Sequence, residues 1–166
     1  MRAWPIDQPF TEQQAIAAPY WPGFMAGEQA IGKAWLQQTR GLWQMFGFNV
    51  RVGEGVDPPP GSSESAKRFV RATTTKRIDI VALNPDGVSL WEVKIQANLG
   101  ALGQMLGYTH LWQRQHPAWP VREAGILCKY ISPDTASVFE KHQMPFYVLG
   151  DVELPPLTTI GPAGAG

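Results

Sequence analysis

The segment RIDIVALNPDGVSLWEVKI, residues 77–95, consists of two apolar runs around one turn. Asn84-Pro85-Asp86-Gly87 is a strong turn sequence, because proline fixes one backbone angle and glycine accepts the positive φ that tight turns require. The runs on either side, 77–83 and 88–95, are rich in residues that favour strands. The segment therefore predicts a β-hairpin at the centre of the fold.

Both predicted strands contain charged residues among apolar ones. Asp79 lies between two isoleucines, and Glu92 and Lys94 flank a valine. Burying an unpaired carboxylate costs several kcal/mol, so these groups need partners or a metal. An ion pair on a wet sheet face explains them as well as a functional site does, and burial alone leaves both explanations open.

The turn geometry decides whether the two carboxylates meet. With a two-residue loop at Pro85-Asp86, Asp79 lies directly opposite Glu92 at about 5 Å, and the charges repel unless a cation lies between them. The same turn sequence favours a type I turn with a glycine bulge, which places Asp79 beside Val93 instead. Both registers stay open.

Glu92 and Lys94 are two residues apart, so their side chains share one strand face at about 6–7 Å. Carboxylates on rigid strands beside an ammonium group suit a hard cation such as Mg²⁺, held by one or two carboxylates with waters and a substrate phosphate. No cluster of histidine and cysteine competes for a zinc site. Lys94 would orient a water molecule or offset charge in the transition state.

Before the hairpin, apolar spacing predicts a helix of about five turns from Phe24 onward. Its inward residues are Ile31, Trp35, Leu42 and Phe46. Gly47 is expected to close this helix, and residues 48–52 to form a strand. Residues 53–66 have the composition of a loop, and the basic, β-branched residues 67–75 fit either a short strand or an extended loop.

After the hairpin, helical and strand patterns alternate. The predicted elements are a helix at 98–115, a strand at 123–131, a helix at 132–143 and a strand at 145–149. Asn98 and Ser132 are suitable helix caps, and Pro133 fits the first helical position. The alternation predicts an α/β fold with a mixed central sheet flanked by helices.

The hairpin charges and the order of elements resemble the PD-(D/E)XK nuclease superfamily, which has the restriction-endonuclease-like fold with an αβββαβ core. The resemblance covers residues 24–149 and rests on Asp79 and on Glu92-Val93-Lys94 in the next strand. Gln104 and Tyr108 add to it, because they match the Gln-x-x-x-Tyr of the following helix in RecB-like and related exonuclease branches.

This resemblance implies Mg²⁺ or Mn²⁺ as the cofactor, with three ligands in the hairpin: Asp79, Glu92 and the Val93 carbonyl. It also implies a catalytic role for Lys94 and places Gln104 and Tyr108 near the substrate. One departure is Ile78, which stands where the family pattern has proline.

Glu28 is a further candidate metal ligand. It lies on the inward face of the first predicted helix, and many members of the superfamily carry a glutamate there that assists the metal site. The helix dipole explains Glu28 at least as well as a metal site does, because it stabilises a glutamate in the first turn by about 0.3–1 kcal/mol.

The helix after the hairpin carries a stripe of glycines, Gly100, Gly103 and Gly107. Each costs about 1 kcal/mol in a helix interior, so something is expected to approach the backbone closely there. Tight packing on the sheet explains the stripe better than direct contact with a phosphate.

Five basic residues precede the Asp79 strand, with no acidic residue between Ser65 and Ile78: Lys67, Arg68, Arg71, Lys76 and Arg77. A solvated charged face and a DNA phosphate-binding surface explain them equally well. The chain has 14 Lys+Arg, 14 Asp+Glu and no net charge, which excludes a cationic coat for nucleic acid but not such a local patch.

Proline and glycine are concentrated in the flanks and divide the chain into an arm at 1–23, a nuclease-like domain at 24–153 and a tail at 154–166. The arm is expected to lie over the surface of the domain or of a partner, with Trp4 and Trp21 as its anchors, whereas Trp35 and Trp91 fit the core.

The sequence has no segment typical of secretion or membrane insertion. Residues 95–113 lack charge but contain too many amide side chains for a membrane span. The single cysteine, Cys128, is expected to be a buried, inert thiol in a reducing compartment. The sequence predicts a soluble protein that is not secreted. It is expected in the cytoplasm, or in a virion if a phage encodes it.

The leading hypothesis is a small Mg²⁺-dependent deoxyribonuclease that uses water to attack a phosphodiester bond. The alternative is a nuclease-like assembly component, for example of a phage particle, whose arm and tail bind protein partners and which has little or no catalytic activity. A general DNA-binding module does not explain carboxylates beside bound phosphates.

Overall fold

The structure is a computed structural model and describes residues 3–156. Its elements in chain order are β1 (Phe10–Thr11), α1 (Glu12–Ala17), α2 (Ala26–Gln38), β2 (Met45–Val52), α3 (Glu64–Thr74), β3 (Lys76–Asn84), β4 (Gly87–Gln96), α4 (Leu99–Gln115), β5 (Val121–Tyr130), α5 (Pro133–Lys141) and β6 (Phe146–Val148).

The strands of the described chain form one six-stranded sheet in the order β1-β2-β3-β4-β5-β6. The first four pair antiparallel, and β4, β5 and β6 pair parallel. The two parallel connections contain α4 and α5, because a parallel crossover must carry the chain back along the sheet. The predicted α/β fold with a mixed sheet and flanking helices is confirmed.

The central hairpin has the shorter of the two possible loops. Asn84 pairs with Gly87, which leaves Pro85 and Asp86 as the two loop residues. Gly87 has φ +151, in the region that favours glycine. Regular pairing ends at Ile80 and Trp91, in the register whose next pair is Asp79 with Glu92.

Helices cover both faces of the sheet. On one face the core contains residues of α4 and α5, including Met105, Trp112 and Phe139. On the other face it contains residues of α2, such as Ile31 and Trp35, packed on the sheet. Burying large apolar side chains on both faces makes the central strands the most rigid place in the fold to mount a site.

Two sequence predictions before the hairpin are wrong. Helix α2 ends at Gln38 rather than near residue 46, because Gly41 takes φ +82 and turns the chain. Phe46 is a buried residue of β2, paired with Ala82, and Leu42 is 62% exposed. Gly47 therefore lies inside a strand and closes no helix.

Residues 64–74 form helix α3, not a strand or an extended loop. Ser63 caps the helix by accepting a hydrogen bond from the backbone N–H of Ala66 at 3.2 Å. Glu64 adds negative charge to the first turn, where the helix dipole favours it.

The N-terminal arm packs on its own chain. Trp21 is 2% exposed, stacks on Phe48 with ring centroids 4.1 Å apart, and donates from Nε1 to the carbonyl of Ala15. Trp4 lies 5.3 Å from the ring of Trp119. Of the two surfaces expected for the arm, that of the domain and that of a partner, the tryptophans pack on the domain, and Trp21 is part of its core.

Several smaller predictions concern burial. Trp35 and Trp91 lie in the core with ring centroids 5.3 Å apart, as expected. Cys128 is buried, and burial raises the pKa of its thiol to about 11, which makes it inert. No helix within residues 3–156 is long and apolar enough to cross a membrane. Most of the predicted tail, 157–166, lies outside the described residues.

Candidate active site

Asp79 occupies an irregular point of β3. Ile78 and Ile80 pack in different core clusters although they are two residues apart, so the alternation of faces breaks between them. The pairing of β2 with β3 runs through Phe48 with Ile80 and Val50 with Ile78. This leaves Asn49 opposite the break, with φ +55.

The Asp79 carboxylate lies between β3 and β4. Its Oδ2 accepts a hydrogen bond from the backbone N–H of Val93 at 2.8 Å. In an antiparallel ladder the N–H and C=O of one residue point to the same side. The Val93 carbonyl therefore points toward the gap that contains the Asp79 side chain.

Glu92 and Lys94 form an ion pair on β4. Lys94 Nζ lies 2.6 Å from Glu92 Oε1, and the side chains are 27% and 3% exposed. The second oxygen, Glu92 Oε2, is buried and has no hydrogen-bond partner among the described residues. An orphaned carboxylate oxygen is costly, which marks it as a candidate ligand atom.

Burial, and after it the charge of the nearby Glu92 carboxylate, raise the pKa of Asp79 to about 7. The Val93 N–H and the Lys94 charge oppose this shift. Burial likewise raises the pKa of Glu92, against the hydrogen bond and charge of Lys94 and the contact with the Asp79 carboxyl group. Two desolvated carboxylates so close together have a stronger affinity for a cation than either has alone.

Lys94 stays protonated in this environment. Burial by itself lowers the pKa of its ammonium group, but the hydrogen bond and charge of Glu92, with the charges of Asp79 and Glu28, raise it overall. Lys94 therefore brings a fixed positive charge to the site and cannot act as a neutral base near pH 7.

Gln104 and Tyr108 lie on the side of α4 that faces this cluster. Gln104 Nε2 donates to the Tyr108 hydroxyl at 3.2 Å. Tyr108 is 6% exposed. Burial raises the pKa of its phenol, and the charges of Glu92 and Asp79 raise it further, so the hydroxyl is near both carboxylates. The structure thus brings these two residues to the hairpin charges.

Glu28 stands in the first turn of α2, half-buried. Its Oε2 accepts a hydrogen bond from the Met25 backbone N–H at 3.3 Å, which is a helix-capping contact. Its charge also acts on the pKa of Asp79, of Glu92 and of Lys94. Glu28 therefore combines a capping role with a place at the edge of the site.

The basic residues form two groups. Lys67, Arg68 and Arg71 lie on α3, where Lys67 pairs with Glu64 at 2.8 Å. Lys76 and Arg77 begin β3 and are exposed. Arg77 is two residues from Asp79, whereas the α3 group is separated from it by the start of the strand.

The glycine stripe of α4 does not pack tightly on the sheet, contrary to expectation. A Cβ atom added at Gly103 or Gly107 would meet no atom within 4 Å, and at Gly100 it would meet only Asn98 Oδ1. The core side of α4 is formed instead by larger residues, so the glycines face away from the sheet.

The donor set fits a hard divalent cation. Within residues 3–156 no group of three or more His, Cys, Asp or Glu side chains could hold a metal. Magnesium, however, binds through one or two carboxylates and keeps several waters, so Asp79 and Glu92 with the Val93 carbonyl suffice. The orphaned Glu92 oxygen and the raised pKa of both carboxylates are consistent with that use.

Asn49 is a residue beside the site, on the neighbouring strand β2, that was not predicted from the sequence. Its left-handed backbone, opposite the break in β3, belongs to the distortion that turns Asp79 into the gap. The available signal was an asparagine inside an apolar strand, since asparagine tolerates positive φ better than other non-glycine residues.

No family model matches the chain, and no curated protein matches its sequence. Among solved structures, a repair endonuclease from Pyrococcus abyssi is similar, with a TM-score of 0.46 and 16% identity over 80% of this chain and 50% of that one. A structure of an EndoMS–dsDNA2 complex has a TM-score of 0.42 and 13% identity over 84% of this chain and 50% of that one. The chain spans about half the length of these two proteins.

Proposed function

We propose that this chain is a metal-dependent nuclease that hydrolyses phosphodiester bonds in DNA, with Mg²⁺ or Mn²⁺ as the cofactor. The observation that carries the proposal is the buried, unpartnered Oε2 of Glu92 beside Asp79, whose pKa is about 7. Such a pair is unfavourable by itself and becomes favourable when a cation is bound.

The ligands in this proposal are the carboxylates of Asp79 and Glu92 and the Val93 carbonyl, with Glu28 at the edge. A bound divalent cation polarises a phosphate oxygen and lowers the pKa of a water ligand. The chain supplies a rigid support for this chemistry, because β3 and β4 are central strands packed on both faces.

Lys94 is the catalytic residue of the protein itself. The ion pair with Glu92 holds its ammonium group, which stays charged and offsets the negative charge that develops on the phosphate. Gln104 and Tyr108 orient the substrate or a water from α4. The exposed Lys76 and Arg77 beside the site bind flanking phosphates.

The test is cleavage of fluorescently labelled single- and double-stranded DNA by Lys94→Ala. Loss of a preorganised charge from the transition state is expected to lower kcat by about 100-fold or more. Lys141→Ala, an exposed lysine on α5, is the matched control and should cleave like the parental chain. EDTA should stop cleavage, and added Mn²⁺ should restore it.

Unfolding must be excluded by circular dichroism, which should be the same for all variants. Undiminished cleavage by a pure, folded Lys94→Ala preparation would falsify the proposal. So would cleavage that is insensitive to EDTA.

A further inference from the structure

Helix α3 has no buried residue, although its sequence separates apolar from basic side chains. It is fastened by its C-terminal end, where Thr74 Oγ1 accepts a hydrogen bond from the Val56 backbone N–H at 2.7 Å. Lys67, Val70 and Thr74, spaced by three and four, are half-buried and mark the side turned to the body of the protein.

The outer face of α3 consists of Ser65, Arg68, Phe69 and Ala72. These residues have the i, i+3, i+4, i+7 spacing of one helix face. Phe69 is 69% exposed at one edge of this face, beside the exposed Ser65 and the half-buried Ala72. An exposed aromatic ring beside arginine is the combination with which proteins stack and hold single-stranded nucleic acid.

The charge next to this face favours a polyanion. Arg68 and Arg71 are exposed neighbours on the helix, and no acidic residue lies between Ser65 and Ile78. The chain as a whole has no net charge, so this is a local concentration of positive charge. Arginine binds phosphate through a planar fork and is weakly hydrated, which suits a nucleic-acid backbone.

The C-terminal end of α3 is close to the candidate active site along the chain. Thr75 ends the helix and Asp79 follows four residues later along β3. At about 3.3 Å for each strand residue, the end of α3 is no more than about 13 Å from Asp79, so the helix is near a DNA strand bound at the site.

We propose that α3 binds the DNA strand beside the cut site, with Arg68 of the outer face and the adjacent Arg71 on phosphates and Phe69 stacked on an unpaired base. This inference rests on the proposed nuclease function and deepens it. Because a stacked base cannot stay in a duplex, the protein prefers DNA with unpaired bases a few nucleotides from the scissile bond.

The test measures binding without cleavage. Fluorescence anisotropy follows a labelled single-stranded oligonucleotide and its duplex, with Lys94→Ala in EDTA as the parental background. Phe69→Ala should weaken single-strand binding by about 10-fold, as expected for loss of one stacked base. Phe69→Trp should bind within about 2-fold of the background, and Phe69→Leu as weakly as alanine.

The matched control is Tyr20→Ala, which removes another exposed aromatic ring, 84% exposed and outside α3. It should leave binding unchanged. An oligonucleotide containing 2-aminopurine adds a direct signal, because stacking on Phe69 should quench its fluorescence in the background protein and not in Phe69→Leu. Removing Arg68 or Arg71 should reduce the slope of log affinity against log salt by about 0.7 for each phosphate contact, whereas Phe69→Ala leaves that slope unchanged.

Three outcomes would overturn the inference. The first is equal DNA affinity of Phe69→Ala and its background, and the second is full DNA binding by Phe69→Leu. The third is that Phe69→Ala loses binding to anionic vesicles while its DNA binding is unchanged. The last would identify α3 as a membrane-surface helix. The readout is independent of catalysis. A protein that never cleaves but shows Phe69-dependent stacking would overturn the nuclease function alone, and normal binding by Phe69→Ala in an active nuclease would overturn this inference alone.

Discussion

The carboxylate of Asp79 accepts a hydrogen bond from the backbone N–H of Val93 across the gap between β3 and β4, at 2.8 Å. An N–H that would otherwise continue the ladder between the two strands is therefore bonded to a side chain. The contact holds one acidic group beside another, Glu92, in a desolvated place. Holding the two acidic groups together destabilises the metal-free fold and strengthens the binding of a cation, a trade-off that is common at functional sites.

Asp79→Asn should stabilise the metal-free protein at pH 8. The folded pKa of about 7 lies above the ordinary value of 3.8, so the stability that this group provides is complete below 3.8 and is lost as pH rises through 7. Asparagine keeps an acceptor for the Val93 N–H and removes the charge. Urea unfolding in EDTA should show a gain of about 1–3 kcal/mol at pH 8 and little change at pH 4.

Asp79→Ala is the control for that experiment, because it removes the charge and the acceptor together. It should be less stable than Asp79→Asn at both pH values, since it leaves the Val93 N–H without its partner. A metal-free Asp79→Asn protein that is less stable than the parental chain at pH 8 would contradict the assigned electrostatics.

Gln104 and Tyr108 should act as a unit. Tyr108→Phe keeps the buried ring and removes the hydroxyl that accepts the Gln104 hydrogen bond. Each single variant, Gln104→Ala and Tyr108→Phe, is expected to lower kcat by about 10-fold. The double variant should lose little more than either single one, because the residues share one contact. Kinetics of all four proteins decide this, and fully multiplicative losses would show that the two side chains act separately.

Trp21→Ala should destabilise the fold by about 3–5 kcal/mol, the usual cost of removing a buried tryptophan ring. The neighbouring Tyr20→Ala should change stability by less than about 0.5 kcal/mol, because that ring is 84% exposed. Denaturant unfolding followed by circular dichroism measures both. Removal of residues 1–23 should abolish folding for the same reason, and a stable, active truncated protein would show that the arm is a detachable appendage.

Gly103→Ala and Gly107→Ala should each stabilise the protein by about 0.5–1 kcal/mol. Alanine is the better helix former, and at both positions its Cβ enters open space. Gly32→Ala is the contrasting case, because its Cβ would overlap the Trp21 ring. Thermal unfolding of the three variants gives the result, and a loss of stability at Gly103 or Gly107 would indicate a neighbour that the described chain does not show.

The hairpin and the elements after it could be predicted because their signals are local. A proline–glycine turn, two helix caps at Asn98 and Ser132 and strand-like runs act within a few residues of the backbone they shape. The error at Phe46 has the opposite origin. That residue continued the apolar spacing of α2, but its pairing with Ala82 in the sheet decided its conformation.

The role of the arm also depended on distant contacts. Proline-rich sequence indicates an irregular path and does not say where its aromatic residues go. Trp21 enters the core because Gly32 of helix α2 and Phe48 of strand β2 leave a space that fits its ring. The residues next to a tryptophan in the sequence do not show whether its ring is exposed or buried.

The sequence by itself determined that charged residues lie inside two strands of an α/β sheet, because strand propensity and turn chemistry are local properties. Only the tertiary structure decided that Asp79 and Glu92 lie on opposite sides of one gap, that Tyr108 of α4 faces them, and that Phe69 projects from a helix with no core contact. Those relations depend on strand register and on which helix face the core buries, and both are set by packing across the whole domain.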